Sequence, residues 1–207
     1  MITKKSFIID RLQNKNILGD LTYVESNKKA PLVLFCHGYK GYKDWGAWNL
    51  MAEELALRGY FVVKFNFSHN GGTIENPIDF SDLESFGQNN YTKELNDLDD
   101  VINWIYYLKN EYIDYYNKES TVLIGHSRGG GVAILKASED TRIKKLVTFA
   151  AVSNFSSRFP KGKDLEEWEL NGVRYVVNGR TKQKMPHYFQ FYTDFLENQV
   201  RFNILNA

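Results

Sequence analysis

The stretch TVLIGHSRGGGV, Thr121–Val132, decides the fold. Its first four residues are β-branched or apolar and predict a buried strand. Small and helix-compatible residues continue to about Ser138 and predict a helix, so the chain has to turn sharply at Ser127. A serine at such an apex has a strained backbone, which is tolerable only if the residues two before and two after it lack side chains. Gly125 and Gly129 are those residues.

This pattern is the G-x-S-x-G nucleophile elbow, in the strand-to-helix context that gives the motif its meaning. Such an elbow projects the Ser127 hydroxyl clear of the sheet. The helix N-terminus behind the hydroxyl favours developing negative charge. The alternative is an ordinary turn, because glycine and serine are common in turns of every kind.

Composition sets the class of protein. At 207 residues, with 43% hydrophobic side chains, the chain suits one globular α/β domain. Its 26 basic and 25 acidic side chains leave a net charge of +1, which gives no electrostatic case for binding nucleic acid or an anionic membrane. Cys36 is the only cysteine, which excludes an internal disulfide. We see no signal peptide and no apolar run of about 20 residues, and we therefore expect a cytoplasmic domain.

Apolar runs separated by turn residues predict the strands. Ser6–Asp10 and Ile17–Glu25 flank the turn-forming Gln13–Asn16, which predicts an opening antiparallel pair. Later strands are predicted at Leu32–Cys36, Tyr60–Phe67, Thr121–Ile124 and Lys145–Ala150.

Two amphipathic stretches between these strands predict helices. The first runs from about Trp45 to Arg58, with Asp44 as its N-cap and Gly59 as its stop. The second runs from about Tyr91 to Lys109 and follows a loop region over residues 68–90. Four acids lie near the start of this helix: Glu94, Asp97, Asp99 and Asp100. We interpret them as a solvated face and not as a metal site, because no histidine or cysteine lies at ligand spacing.

The alternation of strands and helices predicts a doubly wound, mostly parallel sheet with right-handed crossovers. In such a sheet, the segment His37-Gly38-Tyr39 and Ser127 follow the carboxyl ends of neighbouring strands, where open α/β sheets have their sites.

The character of the chain changes after Ala150. An irregular segment leads into Trp168–Val177, which predicts a hairpin turning at Asn171-Gly172. An aromatic-rich helix is predicted at Tyr188–Val200. We expect residues 1–151 to form the core, with the first six strands, and residues 152–207 to form a cap over the carboxyl edge of the sheet.

Three motifs carry a resemblance to a known family: LVLFCHGYKG (32–41), YFVVKFNFSHNG (60–71) and VLIGHSRGGGVA (122–133). With them, the chain resembles the α/β-hydrolase fold family, and within it the small bacterial esterases of the feruloyl-esterase and dienelactone-hydrolase type. Those enzymes carry a lid insertion after the sixth strand, and Val152–Arg201 fits such a lid.

The resemblance implies three site groups: Ser127 as nucleophile, and the backbone N–H groups of Tyr39 and Arg128 as the oxyanion hole. It leaves the side chains of Tyr39 and Arg128 without an assigned role. His37 is expected to shape the oxyanion loop together with Gly38, and the side chain of His126 is expected to point away from the site.

Other residues are weaker candidates. His69 follows the fourth predicted strand, where the family often has a residue at the pocket rim. Trp168 and Tyr175 either line a substrate pocket or form the small core of the cap. We expect His187 to lie at the surface or in packing and not to be a general base.

The resemblance also implies an acid after a seventh strand and a histidine after an eighth, and neither can be identified before Ala207. Asp194 and His187 come in the wrong order and both fall on the predicted cap helix, so we assign neither to a triad. Either the C-terminal strands are missing from a longer hydrolase, or another chain completes the site, or catalysis has been lost. We favour the first, because Lys145–Ala150 would otherwise be an unpaired apolar edge open to self-association.

The resemblance therefore implies a serine hydrolase that cleaves a small-molecule carboxylic ester through an acyl-enzyme on Ser127, without a metal or cofactor. A peptidase or thioesterase of the same fold is an alternative. A non-catalytic binding module is another, and the unidentified acid and base favour it.

Overall fold

A twisted sheet lies at the centre of the computed structural model, which describes residues 1–12, 14–26, 28–107 and 111–207. Within these residues its strands are β1 (Ile2–Ile9), β2 (Ile17–Val24), β3 (Ala30–Cys36), β4 (Phe61–Phe65), β5 (Tyr116–His126) and β6 (Ile143–Phe149). Their spatial order is β1-β2-β4-β3-β5-β6. β1 and β2 are antiparallel to their neighbours, and the other four strands are parallel. The mostly parallel sheet and its antiparallel opening pair are thus confirmed.

Helices cover both faces of this sheet. The helices of the first 140 residues are α1 (Trp48–Leu57), α2 (Leu83–Gly87), α3 (Tyr91–Tyr107) and α4 (Arg128–Glu139), and all of them except α2 pack on the sheet. Successive residues of β3 pack on opposite faces: Val33 belongs to the cluster around α1, and Leu34 to the larger cluster around α3 and α4. Burial on both faces explains why β3 and β4 are continuous apolar runs in the sequence.

The C-terminal segment (residues 152–207) forms α5 (Lys163–Asn171), β7 (Val173–Val177), β8 (Lys184–Tyr188) and α6 (Gln190–Glu197). β7 and β8 are an antiparallel pair. The prediction of a hairpin turning at Asn171-Gly172 is wrong. Trp168 lies on α5, and Gly172 ends that helix in the left-handed conformation, with φ +71°. His187, which was assigned to the predicted cap helix, lies on β8, and α6 begins only at Gln190.

Two local predictions in the first 110 residues also need correction. Asp44 does not cap α1, which begins at Trp48 after Ala47. The Asp44 carboxylate instead accepts a hydrogen bond of 2.8 Å from the buried Lys64, which needs a counter-charge. The loop region over residues 68–90 contains the short helix α2. The predicted end of α3 at Lys109, like Gln13 of the first turn, lies outside the described residues.

The solvated acidic face predicted for α3 is wrong for two of its four members. Glu94 and Asp97 are only 4% and 1% exposed. Each has a cationic partner: Glu94 pairs with the buried Arg128, and Asp97 pairs at 2.8 Å with Arg11, which is partly buried. A buried carboxylate is stable only when it is paired and hydrogen-bonded, and these arginines meet that requirement.

β6 is the apolar edge strand that the sequence indicates. In the described part of the chain it pairs with β5 alone, and Leu146, Val147 and Phe149 are between 37% and 46% exposed. Self-association through this edge stays a prediction. Of the described helices, none combines the length and the apolar character that crossing a membrane would require.

Candidate active site

Ser127 occupies a sharp turn between β5 and α4. Its φ of +52° and ψ of −117° lie in a region that residues with a side chain rarely adopt. Backbone hydrogen bonds hold it there: its N–H donates to the Phe149 carbonyl at 2.9 Å, and its carbonyl accepts from the Val152 N–H at 2.9 Å. The strained serine is therefore tied to the chain that follows β6.

The neighbouring glycines are required because backbones approach each other closely. A Cβ atom on Gly125 would lie 2.6 Å from the Gly129 carbonyl oxygen, and one on Gly129 would lie 2.2 Å from the His37 carbonyl oxygen. A Cβ on Gly38 would lie 3.1 Å from the Cβ of Ser127. The segment after β3 thus lies directly against the serine, as expected for strands whose carboxyl ends are adjacent.

A cavity of about 310 Å³ opens on Ser127. Residues of the core and of the C-terminal segment line it: Tyr39, Tyr91, Ser127, Arg128, Val152, Arg158, Phe159, Trp168, Arg174, Val176, His187 and Phe191. Its size suits a small molecule. Among the described residues, no group of three or more histidine, cysteine or acidic side chains is placed to hold a metal ion.

The Arg128 side chain, which the sequence left without a role, lies in the wall of this cavity. It is 8% exposed, and its Nε donates to Glu94 Oε2 at 3.1 Å, while Nη2 lies 2.9 Å from Oε1. The guanidinium lies 4.8 Å from the ring of Tyr91 and 4.7 Å from that of Phe191. Burial alone would lower the pKa of Arg128, but Glu94, Tyr91 and Tyr39 together outweigh it and the net shift is upward. Arg128 therefore remains charged.

Periodicity could have revealed Glu94, because it lies four residues before Leu98 and seven before Val101 on the buried face of α3. An acid on the buried face of a helix needs a cationic partner. The position of that partner, Arg128, depends on how α3 and α4 pack together, and sequence spacing does not give it.

His187 contributes to the same cavity and is buried, at 8% exposed. Its Nε2 shares a hydrogen bond of 2.9 Å with the Tyr39 hydroxyl, and its carbonyl accepts one of 2.7 Å from the Trp168 indole. Burial, with Arg128 and Arg174 nearby, lowers the pKa of His187 to about 3. The imidazole is therefore neutral at pH 7.

The structure places the other histidines away from this cavity. The Phe67 N–H donates to His37 Nε2 at 3.2 Å, so the ring proton is on Nδ1 and donates to the Gly38 carbonyl. Burial lowers the pKa of His37 to about 4. His126 packs on the ring of Trp48, and His69 bonds to the hydroxyl of Ser68. None of these three imidazoles lines the cavity.

The two aromatic candidates of the C-terminal segment differ. Trp168 lines the cavity and is 2% exposed, whereas Tyr175 is 60% exposed and lies outside it. The sequence predicted both within one hairpin, Trp168–Val177, but they are on different elements, α5 and β7. Sequence reasoning missed Tyr91, Phe191, Arg158 and Arg174 as parts of the wall.

Comparison with known proteins gives a family and a fold. No protein among those with a curated function matches this chain. Many solved structures have similar folds, and the three described next have low sequence identity to this chain. The alpha/beta hydrolase GrgF from Penicillium sp. sh18 is 15% identical, with a TM-score of 0.62, over 98% of this chain and 68% of its own. A protein assigned as a dienelactone hydrolase, from Klebsiella pneumoniae, is 18% identical, with a TM-score of 0.56, over 73% of this chain and 60% of its own.

The ferulic acid esterase from Streptomyces cinnamoneus is 16% identical, with a TM-score of 0.55, over 69% of this chain and 56% of its own. The chain thus spans between about half and two thirds of the length of these three proteins. At such identities the likeness shows the fold, and it agrees with the resemblance to small bacterial esterases. The sequence-family model described as alpha/beta hydrolase fold matches residues 31–202 of this chain. This chain belongs to the alpha/beta hydrolase fold family.

Proposed function

We propose that this protein is a serine hydrolase that cleaves carboxylic esters through an acyl-enzyme on Ser127. One observation carries the proposal: the strained turn at Ser127, with its φ of +52°, borders a small-molecule cavity and lies against the segment that contains Gly38 and Tyr39. Strain of this kind persists where a protein presents a reactive group.

The chemistry follows from the groups around the serine. The Ser127 oxygen attacks the ester carbonyl to form a tetrahedral intermediate, and the proton of its hydroxyl passes through water to the alcohol oxygen that leaves. The backbone N–H groups of Arg128 and Tyr39 stabilise the negative charge on the former carbonyl oxygen, at about 3 kcal/mol per donor. Arg128 is the first residue of α4, so its N–H has no acceptor within the helix. The alcohol then leaves with a proton, and water releases the acid from the serine.

None of the four histidines is assigned as the general base. Among the described residues, no imidazole lies within ion-pair distance of a carboxylate. His187 lines the cavity, but its bond to Tyr39 and its low pKa make it a weak base. This observation favours the second candidate function, a binding module that retains the fold and the cavity without turnover.

A fluorophosphonate probe separates the two functions, because it reacts only with an activated serine. We expect labelling at Ser127 and turnover of p-nitrophenyl butyrate, with both lost in Ser127→Ala. The control is Ser153→Ala, which changes an exposed serine and should leave both signals intact. Labelling that survives in Ser127→Ala would contradict the proposed nucleophile. A wild-type chain that neither labels nor turns over ester would support the binding module.

We also infer that the C-terminal segment acts as the lid of this site. Trp168, Arg174 and Phe191 all belong to that segment and line the cavity beside Ser127. A segment with this position excludes water from a bound ester and determines which esters fit.

A further inference from the structure

The cavity beside Ser127 has an unbalanced charge. Three of its lining residues are arginines, Arg128, Arg158 and Arg174, and none of the described lining residues is a carboxylate. Glu94 balances Arg128 from behind. Within the described chain, neither Arg158 nor Arg174 forms an ion pair, so no carboxylate neutralises these two positive charges at the cavity wall.

The two unbalanced arginines are held by different surroundings. Arg174 lies on β7 and is half-buried, and its guanidinium lies 5.0 Å from the ring of Trp168. An arginine stacked on an aromatic face still has its N–H groups directed outward in the plane of the guanidinium, where an anion can reach them. Arg158 is exposed, at the end of a single 3₁₀ turn.

The rest of the wall is mostly aromatic. Tyr39, Tyr91, Phe159, Trp168 and Phe191 line the same cavity as the serine and the arginines. Cationic groups beside apolar surface attract an anion more strongly than they would in open water, because less water competes for them. The positive charges of Arg128 and Arg174 both lower the pKa values of the neighbouring His187 and Tyr39. For Tyr39 burial has the larger effect, so its pKa is raised overall.

From this arrangement we propose that the substrate is an ester that also carries an oxyanion, a carboxylate or a phosphate, which binds to Arg174 and Arg158 while the ester carbonyl meets Ser127. The inference rests on the proposed function and adds the class of substrate to it. The aromatic wall then contacts the apolar part of the molecule between the anion and the ester.

Matched esters test the proposal. In the first set the anion lies in the alcohol portion of the ester: 4-acetoxybenzoate and 4-acetoxyphenyl phosphate are compared with the neutral 4-acetoxybenzamide. Mono-4-nitrophenyl succinate is compared with its methyl ester, which places the anion in the acyl portion. In at least one set we expect kcat/KM to be roughly tenfold or more higher for the anionic ester, as charge-assisted hydrogen bonds to arginine allow. The carboxylate and phosphate arms identify which oxyanion is preferred.

The arginine variants assign this preference to the cavity. In the double variant Arg158→Gln/Arg174→Gln, the anionic and neutral esters should have kcat/KM values within about twofold of each other. Arg58→Gln removes one positive charge from an exposed arginine at the C-terminus of α1, outside the cavity lining, and should keep the full preference. Equal rates for anionic and neutral esters in the wild type would overturn the proposal, and so would a preference that survives in the double variant.

A binding measurement separates this inference from the proposed function. Calorimetric titration of 4-hydroxybenzoate and phenyl phosphate into the Ser127→Ala chain should show binding that 4-hydroxybenzamide lacks. Adding Arg158→Gln and Arg174→Gln should abolish it. If the wild type hydrolyses no ester but the anions bind in this arginine-dependent way, the proposed function fails and the anion site stands. If all the esters are hydrolysed equally and no anion binds, the proposed function stands and the anion site fails.

Discussion

The core (residues 1–151) and the C-terminal segment (residues 152–207) both bury apolar side chains, but they pack them in different ways. In the core, aliphatic and aromatic residues of the strands are buried between two layers of helices. In the C-terminal segment, aromatic rings pack on one another and on the core: Phe159 and Phe191 both contact the ring of Tyr91, at centroid distances of 6.2 and 4.8 Å.

This difference separates the parts of the site. The core holds Ser127 and Arg128 through close backbone packing, which tolerates almost no change. The C-terminal segment adds Arg158, Trp168 and Arg174, which lie on short elements around the cavity. Substitutions in the core are therefore expected to affect stability first, and those in the C-terminal segment to affect which molecules bind.

A pair of glycine substitutions tests this contrast with the largest expected effect. Gly129→Ala would place a methyl group 2.2 Å from the His37 carbonyl oxygen, so the backbone of the elbow has to move. We expect the free energy of unfolding to fall by at least about 3 kcal/mol, or the chain not to fold. Urea denaturation followed by circular dichroism measures the change.

Gly179→Ala in the C-terminal segment is the matched control. A Cβ atom there meets nothing within 4 Å and the backbone φ is not positive, so we expect a change within about 0.5 kcal/mol. Similar losses for the two variants would show that the elbow is no more tightly packed than an exposed turn.

The core could be predicted well from sequence because its signals are local. Apolar runs located all six strands of the central sheet to within a few residues, and the spacing of Gly125, Ser127 and Gly129 located the turn. β5 is the largest discrepancy, since it begins at Tyr116 and not at Thr121. The residues before Thr121 are polar and lack the apolar run that indicates a buried strand.

Long-range partners could not be predicted in this way. Glu94 and Arg128 are brought together by the packing of α3 on α4, and Tyr39 and His187 are 148 residues apart in the chain. No local pattern encodes such a pair: helical periodicity indicates that Glu94 is buried, but it does not indicate which residue of another element lies against it. His187 in particular was expected at the surface or in packing, and it is a buried part of the cavity wall.

The pH dependence of the free energy of unfolding tests whether the His187 imidazole stays buried in the folded C-terminal segment. The pKa of His187 is about 3 in the folded chain, against about 6.5 in an unfolded one, so folding favours the neutral imidazole. Its contribution is complete above pH 6.5 and is lost as the pH falls below that value, at about 1.4 kcal/mol per pH unit. The stability difference between wild type and His187→Asn should therefore shrink by about 2 kcal/mol between pH 7 and pH 5.

Urea denaturation at pH 7, 6 and 5 measures this difference, and subtracting the variant removes the titration of all other groups. His126→Asn is the control, because His126 is only half-buried against Trp48 and its difference should change less with pH. A difference for His187→Asn that is constant with pH would mean that the C-terminal segment opens and lets the imidazole take up a proton.

The smallest expected effect concerns the dipeptide Asn171-Gly172, which was predicted to be a hairpin turn and which ends a helix in the structure. As a type I′ hairpin turn it would need positive φ at both residues, whereas in the structure Gly172 has φ +71° and Asn171 is the last residue of α5. Gly172→Ala should therefore cost about 1 kcal/mol, and Asn171→Ala less than half of that, measured by urea denaturation. Equal costs at both positions would favour the hairpin turn. The same Asn-Gly dipeptide can therefore form a hairpin turn or end a helix. Here the amphipathic pattern of residues 163–171 favours a helix, so Gly172 becomes the residue that ends it.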